Sequence, residues 1–306
     1  MGRPADRCAV SRGRRSAVAA SPEPRVTDPA TTDVTASSRP GAGVEDGVAV
    51  RVLADRVGAG APVVYLHGLL GLKEHFLPAA RRLADRAESW LVQAPLLELR
   101  GGSCSVRGAE RLVGDFLREH IAEPMVMVGN SLGGHLALRM ALAEPDRVRA
   151  LVLAGSSGLF ERTFEKDVQH RPSREWIDRK ITDLFCDPAR MPAGVVDRAY
   201  AELSDRKAAR ALVRLSRTAK ADHMGDRLPM IAQPTLLLWG RQDTVTPPAV
   251  AEEFASLMPA ARIRWIDRCG HAPMIERPEE FAAGIREFLD DIGVERPAER
   301  VGHGVG

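Results

Sequence analysis

Long apolar runs are missing from this 306-residue chain. None approaches the roughly 18 to 20 residues that span a bilayer, so neither a spanning helix nor a membrane partner is expected. Cysteine is sparse, with Cys8, Cys104, Cys186 and Cys269 far apart and no C-x-x-C pair among them. That spacing excludes a zinc ribbon, and a disulfide framework is unexpected in a chain of this length. A reducing, cytoplasmic setting follows as the expectation. Charge of one sign is also lacking: 43 Lys and Arg face 41 Asp and Glu, for a formal charge of +2. Composition therefore offers no electrostatic footprint for a nucleic-acid partner. Aromatics make up only 5%, and no internal repeat is present.

What is present is an ordinary globular composition, 44% hydrophobic and 27% charged. The length allows one large α/β domain or two smaller ones. Residues 1–44 are rich in Arg, Ala, Ser, Pro and Thr, and prolines at positions 22, 24, 29 and 40 interrupt any amphipathic helix. That composition predicts a disordered tail. Residues 295–306, ending V-G-H-G-V-G, form a second predicted tail.

Between the tails, short apolar runs alternate with helical patterns. Predicted strands are Val48–Leu53, Pro62–Leu66, Trp90–Gln93, Met125–Gly129, Ala150–Ala154, Thr235–Trp239 and Arg262–Ile266. They are nearly continuous in apolar residues, as strands covered by helices on both faces are. Predicted helices are His75–Arg86, Val106–Glu119, Leu132–Ala143, Ala249–Ser256 and Pro278–Asp291. The alternation implies an α/β fold with a mostly parallel, doubly wound sheet. Residues 45–157 and 233–294 make up this core. Residues 158–232 hold no convincing strand but carry amphipathic stretches at Ser173–Phe185 and Val195–Ser216, the pattern of an inserted helical cap.

Ser131 stands in the turn between a predicted strand and a predicted helix, within Gly129-Asn130-Ser131-Leu132-Gly133. This is the G-x-S-x-G elbow, in which a sharp turn leaves no room for β-carbons beside the serine. A serine that merely caps a helix would need neither glycine. A nucleophilic serine needs a base, and the base needs a group to orient it. Asp243 follows one late strand in G-R-Q-D-T-V-T-P-P, and His271 follows the next in D-R-C-G-H-A-P. Taken singly, each could be a turn or capping residue. Together they stand in the order Ser, Asp, His that this elbow requires. An oxyanion hole calls for the N–H after the nucleophile, that of Leu132, and one from an early loop. The H-G-L-L-G segment offers Leu69, with Gly68 and Gly71 letting its backbone bend and His67 holding the loop.

These four motifs, spread over Val48 to Asp291, resemble the α/β-hydrolase superfamily. The resemblance implies that Ser131 attacks, His271 transfers the proton and Asp243 orients His271, with no metal or organic cofactor. It also implies a small-molecule substrate, a monomer or homodimer, and a cap that shapes substrate choice. Serine at the elbow separates the chain from dehalogenases and epoxide hydrolases of this fold. G-N-S-L-G-G-H-L-A-L and C-G-H are similar to the meta-cleavage-product hydrolases, which cut carbon–carbon bonds, and to the carboxylesterases. Ala272 stands where the former group has Trp, and A-P-L-L-E-L-R-G-G-S-C-S replaces a common D-x-P-G-x-G-x-S loop. Substrate contacts are expected from Gly68, Asn130, Trp176 and Arg198. Phe160, Phe164, Trp176 and Phe185 are the expected apolar lining of the cap. Ester hydrolysis, carbon–carbon hydrolysis and ligand binding with little turnover all remain open at this point.

Overall fold

A computed structural model describes residues 32–35, 50–160 and 172–294. The strands are β1 (Thr32–Thr35), β2 (Leu53–Val57), β3 (Ala61–Leu66), β4 (Ala87–Gln93), β5 (Met125–Asn130), β6 (Val148–Ala154), β7 (Thr235–Gly240) and β8 (Ala261–Ile266). The helices are α1 (Leu77–Arg82), α2 (Val106–His120), α3 (Leu132–Ala143), α4 (Arg174–Thr182), α5 (Val195–Ser204), α6 (Arg206–Ala221), α7 (Pro248–Leu257), α8 (Pro273–Glu276) and α9 (Pro278–Asp291).

The strands form one sheet in the order β1-β2-β4-β3-β5-β6-β7-β8. β3 to β8 pair in parallel, while β1 and β2 join antiparallel at one edge. Every residue of β5 and β7 is buried, as the continuous apolar runs require of strands covered on both faces. One apolar cluster unites Val64, Met127 and Trp239 with Phe116, Leu136 and Phe254 from α2, α3 and α7. The opposite cluster unites Tyr65, Val128 and Leu238 with Ala80, Phe281 and Phe288 from α1 and α9.

Local chemistry explains most boundaries. Ser105 opens α2 by accepting the Gly108 N–H at 3.1 Å. Pro278 sits in the first turn of α9, where its missing N–H costs nothing.

Four expectations need correction. The first core strand is Leu53–Val57, not Val48–Leu53. Val50 and Val52 are buried without laddering, because antiparallel register with β4 fixes the pairing from Leu53 opposite Gln93 onwards. The helix expected over His75–Arg86 is a 3-10 turn, Lys73–Phe76, followed by the six residues of α1. The amphipathic stretch Val195–Ser216 is two helices. Asp205 ends the first and caps the second, its carboxylate accepting the Lys207 N–H at 3.0 Å. Within the tail expected over residues 1–44, Thr32–Thr35 is a strand paired with β2. The rest of that tail, residues 295–306 and Phe164 lie outside the described residues.

Helices α4, α5 and α6 lie between β6 and β7 in the chain, and no strand interrupts them among the described residues. No helix among these residues is long and apolar enough to cross a membrane.

Candidate active site

Strand order reverses around β3: β4 flanks it on one side and β5 on the other. Ligand sites of open α/β sheets form at such a switch point, beyond the carboxyl ends of the strands. Leu66 of β3 pairs with Gly129 of β5, so the chain two residues further on brings Gly68 beside Ser131. A β-carbon on Gly68 would lie 2.9 Å from the Ser131 β-carbon, which only glycine avoids.

Ser131 adopts φ +52° and ψ −119°, a left-handed conformation unusual for a residue with a side chain. Such strain costs on the order of 1–3 kcal/mol and persists only where surroundings enforce it. Here the Ser131 N–H donates to Ala154 O at 3.2 Å, and its carbonyl accepts from Ser157 N–H at 3.1 Å and Gly134 N–H at 3.0 Å. The flanking glycines allow the turn. A β-carbon on Gly129 would meet the Gly134 nitrogen at 2.4 Å, and one on Gly133 the Leu66 carbonyl oxygen at 2.0 Å.

Asp243 follows β7 and His271 follows β8, side by side because those strands are parallel neighbours. Both residues are buried. The His271 Nδ1–H donates to Asp243 Oδ2 at 2.9 Å. Asp243 Oδ2 also accepts from the Thr246 hydroxyl at 2.8 Å. Oδ1 accepts from the N–H groups of Val245 and Thr246 at 2.8 and 2.9 Å. Four donors thus fix the carboxylate.

One cavity, with about 90 Å³ of open space, is lined by Ser131, His271, Leu69, Leu132, Gly68 and Trp176 together. Side chains of α4, α5 and α6 form its opposite wall, including Ile177, Leu203 and Leu212, joined by Phe185 from the segment after α4. Phe160, expected in that lining, is instead 58% exposed.

Two expected substrate contacts are otherwise engaged. Asn130 reaches the cavity wall, but its amide donates to Ala154 O and to His271 O, both at 2.9 Å. It staples the elbow to the histidine loop. Arg198 is absent from the cavity lining. Its guanidinium donates to Leu70 O at 2.7 Å and pairs with Glu202 at 3.0 Å. Leu70 is held at φ +60°, and Arg198 secures that strained turn.

His67 is structural, as expected. Ala94 N–H donates to its Nε2 at 3.1 Å, so Nδ1 carries the ring proton and donates to Gly68 O at 2.8 Å. Burial lowers its pKa and keeps this neutral tautomer in place.

Three residues that pattern alone did not single out complete the site. Thr246 binds Asp243, and the repeated threonine of D-T-V-T is its only trace in the sequence. Glu276 is fully buried and accepts Gly270 N–H and Asp187 N–H, each at 2.7 Å. One carboxylate thereby joins the loop before His271 to the segment after α4. The His271 N–H reinforces that joint by donating to Leu184 O at 2.7 Å. Glu276→Gln forces an amide donor against one of these N–H groups. The expected loss is about 1–3 kcal/mol of stability, the cost of a buried unsatisfied donor, read as a lower urea midpoint.

His75 lines the cavity as well. Burial, with the nearby Arg198 charge, pushes its pKa down to about 4. Between the ordinary value of about 6.5 and that value, the unfolded chain binds a proton that the folded chain refuses. Stability therefore falls as pH drops through this window. Denaturation midpoints at pH 7.5 and pH 5 should differ, and His75→Gln should narrow the gap.

Comparison with known proteins agrees with the fold. Residues 63–284 match the alpha/beta hydrolase family, and the chain belongs to it. It is 29% identical over 234 residues to a pimeloyl-[acyl-carrier protein] methyl ester esterase of Aromatoleum aromaticum, covering 70% of this chain and 90% of that one. It is 32% identical over 177 residues to a 2-hydroxymuconate semialdehyde hydrolase of Pseudomonas putida, covering 53% and 61%. Among solved structures, an alpha/beta hydrolase enzyme from lagoon-sediment metagenome of Mar Chica, Morocco, is similar at TM-score 0.64 and 31% identity. That similarity covers 78% of this chain and 95% of the other. The protein is a hydrolase.

Proposed function

We propose that the chain is a serine hydrolase of small esters or related carbonyl compounds, acting through an acyl-enzyme on Ser131. The observation that carries this reading is the strained Ser131 elbow facing one cavity with the His271–Asp243 pair. Ser131 Oγ attacks the carbonyl carbon while His271 Nε2 takes its proton. The Nδ1–H bond to Asp243 holds the ring in the tautomer that leaves Nε2 free to accept. The N–H groups of Leu69 and Leu132 receive the oxyanion, each such donor being worth about 10²–10³ in rate. His271 then protonates the departing alcohol, and water attacks the ester on Ser131 by the same route in reverse.

Relatives named esterases and lipases support ester cleavage, and those named for dienoate and semialdehyde substrates raise carbon–carbon cleavage. Two features favour the ester. Ala272, not Trp, follows His271, and Arg198 is engaged with Leu70 O rather than lining the cavity. The test is a panel of p-nitrophenyl esters beside a 2-hydroxy-6-oxo-dienoate. Rapid ester turnover, absent in Ser131→Ala, is expected. Cleavage of the dienoate alone would overturn the ester assignment.

A further inference from the structure

Helix α6 has two working faces. Its inner residues Leu212, Ser216 and Ala219 line the serine cavity. Its outer residues Lys207, Arg210 and Arg214 line a separate cleft of about 550 Å³, closed on the other side by Arg100. Four cations thus share one concavity with a single carboxylate, that of Glu98. None of Lys207, Arg210 and Arg214 makes a side-chain hydrogen bond or ion pair among the described residues. Arg100 donates to Leu97 O and Leu99 O at 2.7 and 2.9 Å, which leaves Lys207, Arg210 and Arg214 as the unpaired cations of a concavity suited to phosphate, a group that forks with guanidinium and meets lysine as a point charge.

One further groove borders both the cleft and the candidate active site. This groove, of about 330 Å³, shares Glu98 and Arg100 with the basic cleft and shares Leu70 and Gly71 with the serine cavity. A helix with its side chains is about 10–12 Å across, and α6 stands between the two ends. A ligand occupying both therefore needs a linker that runs around the helix, through this groove. A small phosphate ester cannot reach.

Resting on the serine-hydrolase reading above, we infer that the substrate is an acyl ester or thioester whose far end carries phosphate groups, held in the cleft of Arg100, Lys207, Arg210 and Arg214. A phosphopantetheine arm has this form, either as coenzyme A or attached to a carrier protein. For a thioester, Ser131 Oγ bonds to the acyl carbon as the C–S bond breaks, and His271 passes the serine proton to the thiolate. Water then releases the acid.

The test has a binding arm and a kinetic arm. In the first, calorimetry follows free coenzyme A binding to the wild type and to the triple variant Lys207→Ala, Arg210→Glu, Arg214→Glu, with folding checked by circular dichroism. Binding should weaken at least about tenfold in the variant, and in the wild type should weaken between 50 and 300 mM salt. In the second, kcat/KM for butyryl-coenzyme A is compared with that for the uncharged thioester of N-acetylcysteamine. The charged thioester should be preferred at least about tenfold, through KM, and the variant should lose that preference. Preference for a butyryl-loaded carrier protein over butyryl-coenzyme A would identify the source of the arm. Equal binding by both proteins, or equal kcat/KM for the two thioesters in the wild type, overturns the inference. If coenzyme A binds as expected but no ester or thioester is cleaved, the hydrolase reading fails and the phosphate cleft stands.

Discussion

Asp243→Asn lowers kcat for p-nitrophenyl butyrate by about 10³–10⁴-fold, with KM changed little and the fold intact. The magnitude follows from the tautomer argument for such triads. The direction follows from the bonds around this side chain. Val245 and Thr246 N–H groups fix an acceptor at the Oδ1 position. An asparagine must therefore place its oxygen there and its NH₂ where Oδ2 faces Thr246 and His271. The amide then donates to His271 Nδ1, which must give up its proton and become an acceptor. The ring proton moves to Nε2, and the base that should take the serine proton is blocked. Steady-state kinetics and a thermal melt check both halves. A variant within tenfold of wild type would mean that Asp243 does not orient the base.

Gly133→Ala is expected to destabilise the fold by at least about 3 kcal/mol, at the severe end for single substitutions. The added methyl would sit 2.0 Å from the Leu66 carbonyl oxygen and 2.9 Å from that of His67. Neither atom belongs to a flexible side chain, so relief requires moving β3 against α3, at the point where the elbow is held. Gly114→Ala provides the contrast. In α2 its methyl meets the end of Arg118 at 3.2 Å, which can swing away. There the substitution should gain about 0.5–1 kcal/mol of helix propensity. Urea titrations of the two variants should move in opposite directions. Loss of activity should accompany only the first.

Much of this site is legible in one dimension, because its causes are local. Gly129, Ser131 and Gly133 lie within five residues; Gly129 answers a close approach within its own strand-turn-helix unit, and Gly133 one from the neighbouring strand β3. Asp243 and His271 are legible because parallel strands put chain order and spatial order in step. Glu276 is not, since its partners are chosen by packing. Glu276 meets Asp187 across 89 residues, through contact between the inserted helices and the core. Arg198 shows the converse. Helical spacing locates it on a cap helix but does not reveal that the strained carbonyl of Leu70, 128 residues away, takes its charge. Asn130 lies beside the nucleophile, yet its two amide hydrogens serve Ala154 and His271, and only the folded loops show that. Strand β2 is misplaced for a similar reason: Val50 and Val52 have strand character, but the ladder begins where β4 offers partners.

The central claim is that Ser131 is a nucleophile activated by its surroundings. Treatment with a fluorophosphonate followed by peptide mass spectrometry tests it directly. One adduct is expected, on the peptide containing Ser131, formed in the wild type and absent from Ser131→Ala. An adduct at another serine, or equal labelling of the two proteins, would contradict it.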